Sequence, residues 1–258
     1  MRVTVFASGS GGNASLYEAG DDRVLVDCGI PLPSLQRQMK RAGVTKPPTA
    51  VVLTHAHADH YGRVEEVAEH YGLTVWMSES VHRHLALRLP HKRVFGARTA
   101  FTVGGVTVAP LPLPHDAPQV ALKLSHASGS AVIATDLGEV TADVVPFFRG
   151  CDAVLIESNH DVDMLRRGPY SASLKRRILS ARGHLSNDQT HALLKRLDRA
   201  VSTVVLMHLS EKNNLPDVAR DTAADALCDH PARLLVASQT GVTQFDCVAQ
   251  QPALPGLR

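Results

Sequence analysis

Thr54-His55-Ala56-His57-Ala58-Asp59-His60 sets three histidines and a carboxylate close together, directly after the apolar run Ala50-Val51-Val52-Leu53. With Ala50–Thr54 read as a strand, two-residue alternation puts His55 and His57 on the same side, so both imidazoles reach one ion. The chain then turns into a helical pattern starting near Gly62, and that turn lets Asp59 and His60 face a second ion beside the first. Histidine nitrogen with carboxylate oxygen is borderline-soft ligation, suited to Zn²⁺ and also to Mn²⁺ or Fe²⁺. A polar turn that is histidine-rich by chance has no reason to hold this register at the end of an apolar strand.

Such a centre needs ligands from elsewhere in the chain. His115 follows Leu113-Pro114, a few residues past a strand pattern that ends near Ala109. Asp136 closes Ala131–Thr135, and His208 closes Val204–Met207. Each stands at or shortly beyond the C-terminal end of an apolar strand, and strand ends along one sheet edge converge in space. Two ions sharing a carboxylate, about 3.5–4 Å apart, polarise a substrate oxygen and generate a hydroxide near neutral pH.

Further β-rich runs (Val3–Phe6, Arg23–Val26, Thr74–Met77, Val106–Ala109, Val120–Leu124, Ala153–Glu157, Thr203–His208, Leu234–Ala237 and Val242–Phe245) surround these. Several lack polar alternation, as strands buried on both faces do. Helical spacing marks Val64–Glu69, Leu174–Leu179, His191–Leu197 and Val218–Leu227. Asn187 or Ser186 suits the cap of the third, and Pro216 the first turn of the fourth. Sheets with helices packed outside them are the natural α+β architecture, in one domain over 1–258 with a loose Pro-rich tail at 250–258.

With 258 residues, a net charge of +2, 44% hydrophobic and 20% charged residues, the chain has the composition of an ordinary soluble enzyme without a nucleic-acid-binding tail. No apolar run approaches the ~20 residues of a membrane span, and Met1-Arg2 leads straight into a strand pattern. Cys28, Cys151, Cys228 and Cys247 form no CxxC and are expected to be buried free thiols, which points to the cytoplasm.

In its order, HxHxDH after a strand, then His115, Thr135-Asp136 and His208, the sequence resembles the metallo-β-lactamase-fold hydrolases. Four further stretches sharpen this to the bacterial YycJ (WalJ) group: Ala7–Asn13 (ASGSGGN), Leu155–Asp161 (LIESNHD), Gly183–Asn187 (GHLSN) and His208–Asn214 (HLSEKNN). The resemblance implies an αββα sandwich of two mixed sheets flanked by helices, with two divalent ions (Zn²⁺ or Mn²⁺) at one edge. Carried over by position, His55, His57 and His115 would hold one ion, Asp59, His60 and His208 the other, and Asp136 would bridge them. Asp59 would also orient the bridging hydroxide, and Asp27 would be the aspartate that orients the histidine-bearing loop.

The metal set alone serves a phosphodiester, lactam, lactone or thioester equally well. In the related tRNA 3′-processing nucleases, a histidine placed like His184 and paired with a glutamate assists the leaving oxygen, and Glu157 is the matching carboxylate. A carboxylate that keeps a histidine as imidazolium supplies charge to a phosphate and a proton to its leaving group. The resemblance therefore implies a phosphodiesterase acting on nucleic acid, as a 5′ exonuclease on DNA; the alternative is a hydrolase of a cyclic phosphodiester, lactone or thioester. Ser10 and Asn13 in the Gly-rich turn, Asn159, His160, Ser186 and Asn213 are secondary candidates for substrate or ligand support; hairpin turns and helix caps carry the same residues. Arg166-Arg167 and Lys175-Arg176-Arg177 lie between Glu157 and His184, where they can contact a nucleic-acid backbone or form a solvated face. His70, His82, His84, His91, His126, His191 and His230 have no expected part in catalysis.

Overall fold

A computed structural model of the chain describes residues 1–247; the tail expected at 250–258 lies outside them. Among the described residues, fourteen strands run in chain order as β1 (Arg2–Ala7), β2 (Ala14–Ala19), β3 (Asp22–Val26), β4 (Ala50–Val52), β5 (Thr74–Ser78), β6 (His91–Phe95), β7 (Phe101–Val103), β8 (Val106–Pro112), β9 (Val120–His126), β10 (Gly129–Ala134), β11 (Ala153–Glu157), β12 (Thr203–Met207), β13 (Arg233–Val236) and β14 (Thr243–Asp246). They form two seven-stranded sheets, ordered β14-β1-β2-β3-β4-β5-β6 and β7-β8-β9-β10-β11-β12-β13. In each sheet, read in that direction, three antiparallel pairings are followed by three parallel ones. The two halves share this plan although the sequence shows no repeat.

Strand alternation sorts the side chains into layers. Val3, Val5, Tyr17, Val24 and Val52 of the first sheet meet Val108, Leu122, Ile133, Leu155 and Val205 of the second in a buried middle layer. The opposite face of the first sheet (Leu16, Leu25, Val51, Val75) packs on α1 (Leu32–Arg41) and α3 (Val64–Tyr71), and Gly72 closes α3 in a left-handed cap. That of the second sheet (Val132, Val154, Ile156, Val204) packs on α5 (Val144–Phe148), α8 (Asn187–Leu194) and α9 (Pro216–Ala226). The result is the expected αββα sandwich. Between these helices lie α2 (Ala58–Tyr61), α4 (Glu79–His84), α6 (Val162–Arg167) and α7 (Ala172–Ile178).

The strands without a sequence signal are β2, β6 and β7. Glu18 and three alanines or serines dilute β2, β6 is an exposed edge of His91-Lys92-Arg93, and β7 has three residues. Helix α1 hides behind Pro31-Leu32-Pro33, where a proline in the first turn is a start signal. The cap of α8 is Ser186, in a capping box with Gln189, and Pro216 opens α9 as expected. Cys28, Cys151 and Cys247 are buried free thiols, whereas Cys228 is exposed, contrary to expectation. It follows helix α9 at the surface. Among the described residues, no helix is long and apolar enough to cross a membrane.

Leu155 is fully buried in the interior strand β11. Leu155→Ala is expected to cost about 2–5 kcal/mol, read as a lower midpoint in urea unfolding.

Candidate metal centre

Strands β8 and β10 both pair antiparallel with β9 and so share a direction, while β10, β11 and β12 are mutually parallel. Their C-terminal ends lie along one edge, which delivers His115, Asp136, Glu157 and His208. The parallel pair β3 and β4 delivers Asp27 and the histidine motif from the other sheet. Cross-sheet bonds close the edge: Val120 N donates to Thr54 O, and His208 N to the Ser8 hydroxyl. Among the described residues, three non-glycine residues have left-handed backbones, Asp27 (φ 60°), Asp136 (φ 57°) and His208 (φ 56°), and all three sit here. Each such residue costs about 1–2 kcal/mol, and the clustering of this strain marks a functional site.

Two local expectations need correction. Strand β4 stops at Val52, because Asp27 Oδ1 rather than a strand neighbour accepts from Thr54 N at 2.8 Å. His55 is held instead by an isolated bridge to Gln119, so simple alternation does not bring His55 and His57 together. The helix expected near Gly62 is α3, from Val64, but a separate one-turn helix, α2, precedes it from Ala58. Asp59 and His60 lie in its single turn, which ends where Gly62 N donates to Ala58 O at 2.8 Å. A Cβ on Gly29 would lie 1.7 Å from Asp59 O, so only glycine lets the Asp27–Gly29 turn pack against this helix.

The potential ligand atoms fall into overlapping groups, each within 4.8 Å: His55, His57 and His115; His55, His60 and Asp136; Asp59, His60 and His208; and Asp136, Glu157, His184 and His208. His115 Nε2 lies 3.3 Å from His57 Nδ1, and His60 Nε2 lies 3.1 Å from Asp136 Oδ2. Asp59 Oδ2 is 3.4 Å from His60 Nε2 and 3.5 Å from His208 Nε2.

Each of the five histidines expected as ligands, His55, His57, His60, His115 and His208, also has an outer partner for its other nitrogen. Thr54 Oγ1 is 3.2 Å from His55 Nδ1, Asp116 Oδ1 3.1 Å from His57 Nε2, and Asp27 Oδ2 2.7 Å from His60 Nδ1. Gly183 O is 3.1 Å from His115 Nδ1, and Glu157 Oε1 3.1 Å from His208 Nδ1. A carbonyl or ionised carboxylate only accepts, and the Thr54 hydroxyl spends its hydrogen on Asp27 Oδ2, so the outer nitrogen carries the hydrogen and the inner one faces the cluster. His55 Nε2, His208 Nε2 and Asp136 Oδ2 are buried with no hydrogen-bond partner. Unpartnered inward donors of this chemistry fit divalent metal.

The charges are strongly coupled. Burial raises the Asp136 pKa, yet His208, His60 and His55 hold it well below the usual carboxylate value. Burial disfavours charge on His60, but Asp136 and Asp27 raise it well above the usual histidine value. His208 is likewise opposed by burial and raised by Asp136, Asp59 and Glu157, to about 10. For His55, burial and the neighbouring His60 lower it.

Glu157 is fully buried and four bonds satisfy it. Oε1 faces His184 Nδ1 at 2.8 Å and His208 Nδ1, while Oε2 accepts from Leu137 N and Leu185 N, both at 3.1 Å. Burial alone would lower His184; Glu157 and Asp136 raise it above the usual value. A cavity of about 600 Å³ opens next to His115 and Asp116, bounded also by Ser78, Gln119, Glu139 and Arg182.

Of the secondary candidates, Asn13 reaches the centre, its Nδ2 2.8 Å from His60 Nε2 and 3.3 Å from Asp59 Oδ2. Asn159 donates to His208 O at 2.9 Å. Ser10 is exposed outside the cluster. Ser186 serves as the α8 cap, and Asn213 is wholly buried, with its carbonyl accepting from Asp161 N. His160 is buried with neither ring nitrogen partnered, and burial pushes its pKa down to about 4. Sequence reasoning passed over Ser8, Thr54 and Asp116. The signal was present, since Ser8 and Asp116 lie inside or beside quoted motifs and Thr54 opens the first.

The family model of the β-lactamase superfamily domain matches residues 22–209. The chain belongs to this superfamily, and within it to the WalJ/YycJ-like group of metal-dependent hydrolases. It is 32% identical over 242 residues to exodeoxyribonuclease WalJ of Streptococcus pneumoniae, covering 88% of each chain. It is 31% identical over 235 residues to exodeoxyribonuclease YycJ of Bacillus anthracis, covering 88% of this chain and 89% of that one. In fold it is similar to the metallo-β-lactamase fold protein YhfI of Bacillus subtilis, with a TM-score of 0.72 and 20% identity over 94% of this chain and 98% of that one.

Asparagine tolerates the left-handed backbone at position 27 but lacks the charge that faces His60. Asp27→Asn is expected to keep the fold and weaken metal binding about 10–100-fold, measured by chelator competition. Asp27→Ala should add a stability loss of about 1–2 kcal/mol from backbone strain.

Proposed function

We propose that the chain is a two-metal exodeoxyribonuclease working in the cytoplasm and cutting phosphodiesters from the 5′ end of DNA. The observation that carries the phosphodiester reading is the 2.8 Å contact between His184 Nδ1 and the buried Glu157 carboxylate, beside Asp136 and His208. His55, His57 and His115 would hold one ion, Asp59, His60 and His208 the second, with Asp136 between them. Zn²⁺ or Mn²⁺ bound there would supply a Lewis acid for the phosphate and a hydroxide nucleophile at neutral pH.

The remaining steps belong to side chains. Asp59 is partly exposed, and His208 and His60 hold it ionised despite burial, so it accepts a hydrogen from the attacking water and orients it. His184, kept as imidazolium by Glu157, places charge on the phosphate and donates its Nε2 proton to the departing oxygen. A lactone or thioester has no corresponding need for a preset imidazolium. The names of the WalJ and YycJ relatives support DNA as the substrate, and the free thiols fit a reducing compartment.

The open cavity beside His115 favours a second reading, hydrolysis of a small cyclic phosphodiester, lactone or thioester. End-labelled oligodeoxynucleotides with each end blocked in turn, run against bis-p-nitrophenyl phosphate and lactones, separate the two. His184→Ala is expected to lower kcat on DNA by about 10²–10⁴ with metal content unchanged; retention of wild-type turnover would exclude the leaving-group role. Removal of metal by a chelator should abolish cleavage, and Zn²⁺ or Mn²⁺ should restore it.

A further inference from the structure

Asp116 stands apart from the other outer partners of the histidines. Thr54, Asp27, Gly183 and Glu157 are buried, whereas the Asp116 side chain is 28% exposed. Its Oδ1 lies 3.1 Å from His57 Nε2 and 3.2 Å from His115 Nε2. Its Oδ2 lies 3.0 Å from Arg177 Nη1, on the last turn of α7. Arg177 has half its side chain in solvent, and one carboxylate oxygen occupies only part of its five-donor fork. Of the basic residues of α6 and α7, Arg166 and Arg167 face Asp163, and Lys175 donates to Arg166 O. Arg177 is the member of that cluster joined to the histidine centre, and Arg182 lines the adjoining cavity together with Asp116.

We propose that Asp116 is a positioning residue with two attachments: it fixes His57 through the outer ring nitrogen, and it anchors Arg177 to bind a backbone phosphate next to the scissile one. The second half rests on the nuclease reading above. A strand with one phosphate at the histidine cluster carries its next phosphate a single nucleotide away. Arg177 stands one carboxylate removed from His57, at the rim where that phosphate would pass. A guanidinium matches a phosphate in bidentate geometry, and its pairing with Asp116 restrains the long side chain before substrate arrives.

Two measurements test this. In chelator competition on the full-length protein, Asp116→Ala should bind Zn²⁺ about 10–100-fold more weakly, with Asp116→Asn intermediate because it keeps an acceptor. Wild-type affinity in both variants overturns the His57 half. On a labelled oligodeoxynucleotide, Arg177→Ala should raise KM about tenfold, more than it lowers kcat, and reduce the salt slope of binding by about one; Arg177→Lys should recover part of the KM. An unchanged KM and salt slope overturn the Arg177 half. A wild-type protein that hydrolyses bis-p-nitrophenyl phosphate but leaves the oligonucleotide intact overturns the nuclease reading and the Arg177 half together, while the Zn²⁺ affinities still decide the His57 half.

Discussion

An ionised carboxylate at the seam between two β-sheets is the constraint on which this structure turns. Asp136 is 1% exposed, and removing a charge from water costs several kcal/mol unless opposite charge and hydrogen bonds compensate. His55, His60 and His208 converge on it, and each is held by a partner on the far side: Thr54, Asp27 and Glu157. Those partners explain the rest of the edge. Asp27 adopts a strained backbone to reach both Thr54 and His60, and the chain around His55 is tied across to Gln119 and Val120 of the other sheet. Folding and metal affinity are therefore linked, because the groups that would receive the ion are the ones whose mutual charges need balancing.

The sandwich supplies the geometry for this. Parallel strands end together, so β10, β11 and β12 deliver Asp136, Glu157 and His208 side by side, and a one-residue slip in any pairing would turn a ligand away from the edge. Beyond those ends, three loops are fastened by a satisfied polar network. Asn214 Nδ2 shares its two hydrogens among Ser158 O, Asn159 O and Asn187 Oδ1, and the Ser158 hydroxyl also donates to Asn187 Oδ1. The stretches LIESNHD, GHLSN and HLSEKNN thus meet in one buried clasp behind Glu157. The side chains of Asn159, Asn187 and Asn214 hold loop to loop; they do not project into the centre. A network with every member paired specifies one arrangement of the loops.

Much of this was legible in the sequence, and the limits have physical causes. An apolar run that ends in a ligand residue is a local pattern, so His55, Asp136, Glu157 and His208 could be located before any fold was known. Sheets covered by helices came through because most strands are buried on both faces and read as continuous apolar runs; the αββα sandwich itself was implied by the family resemblance. Strand β6, with its exposed His91-Lys92-Arg93, carries no such mark. The end of β4 was misplaced for a different reason: a side chain distant in sequence, Asp27, takes over the backbone hydrogen bond at Thr54. Alternation rules know nothing of such a partner. Of the histidines' outer partners, Gly183 and Thr54 are harder to assign a role from sequence, since Gly183 acts through its carbonyl and Thr54 through a hydroxyl.

The placement of charge around the centre follows solvent access. Deep partners such as Asp27 and Glu157 are satisfied wholly within the protein, by Thr54 and His60 or by His184, His208 and two backbone N–H groups. Nothing entering from solvent needs to touch them, and low dielectric makes their hold on the histidines strong. Asp116 is the contrasting case, because a carboxylate at the rim would repel an incoming phosphate if it stood alone. Pairing with Arg177 removes that repulsion while leaving the His57 contact in place. An acidic partner is compatible with an anionic substrate at this mouth only when a cation accompanies it, and the last turn of α7 supplies one. The same turn holds the backbone near His184, since His184 N donates to Ile178 O at 3.0 Å. Helix α7 thereby links the basic face, the rim and the imidazole opposite Glu157 in one rigid element.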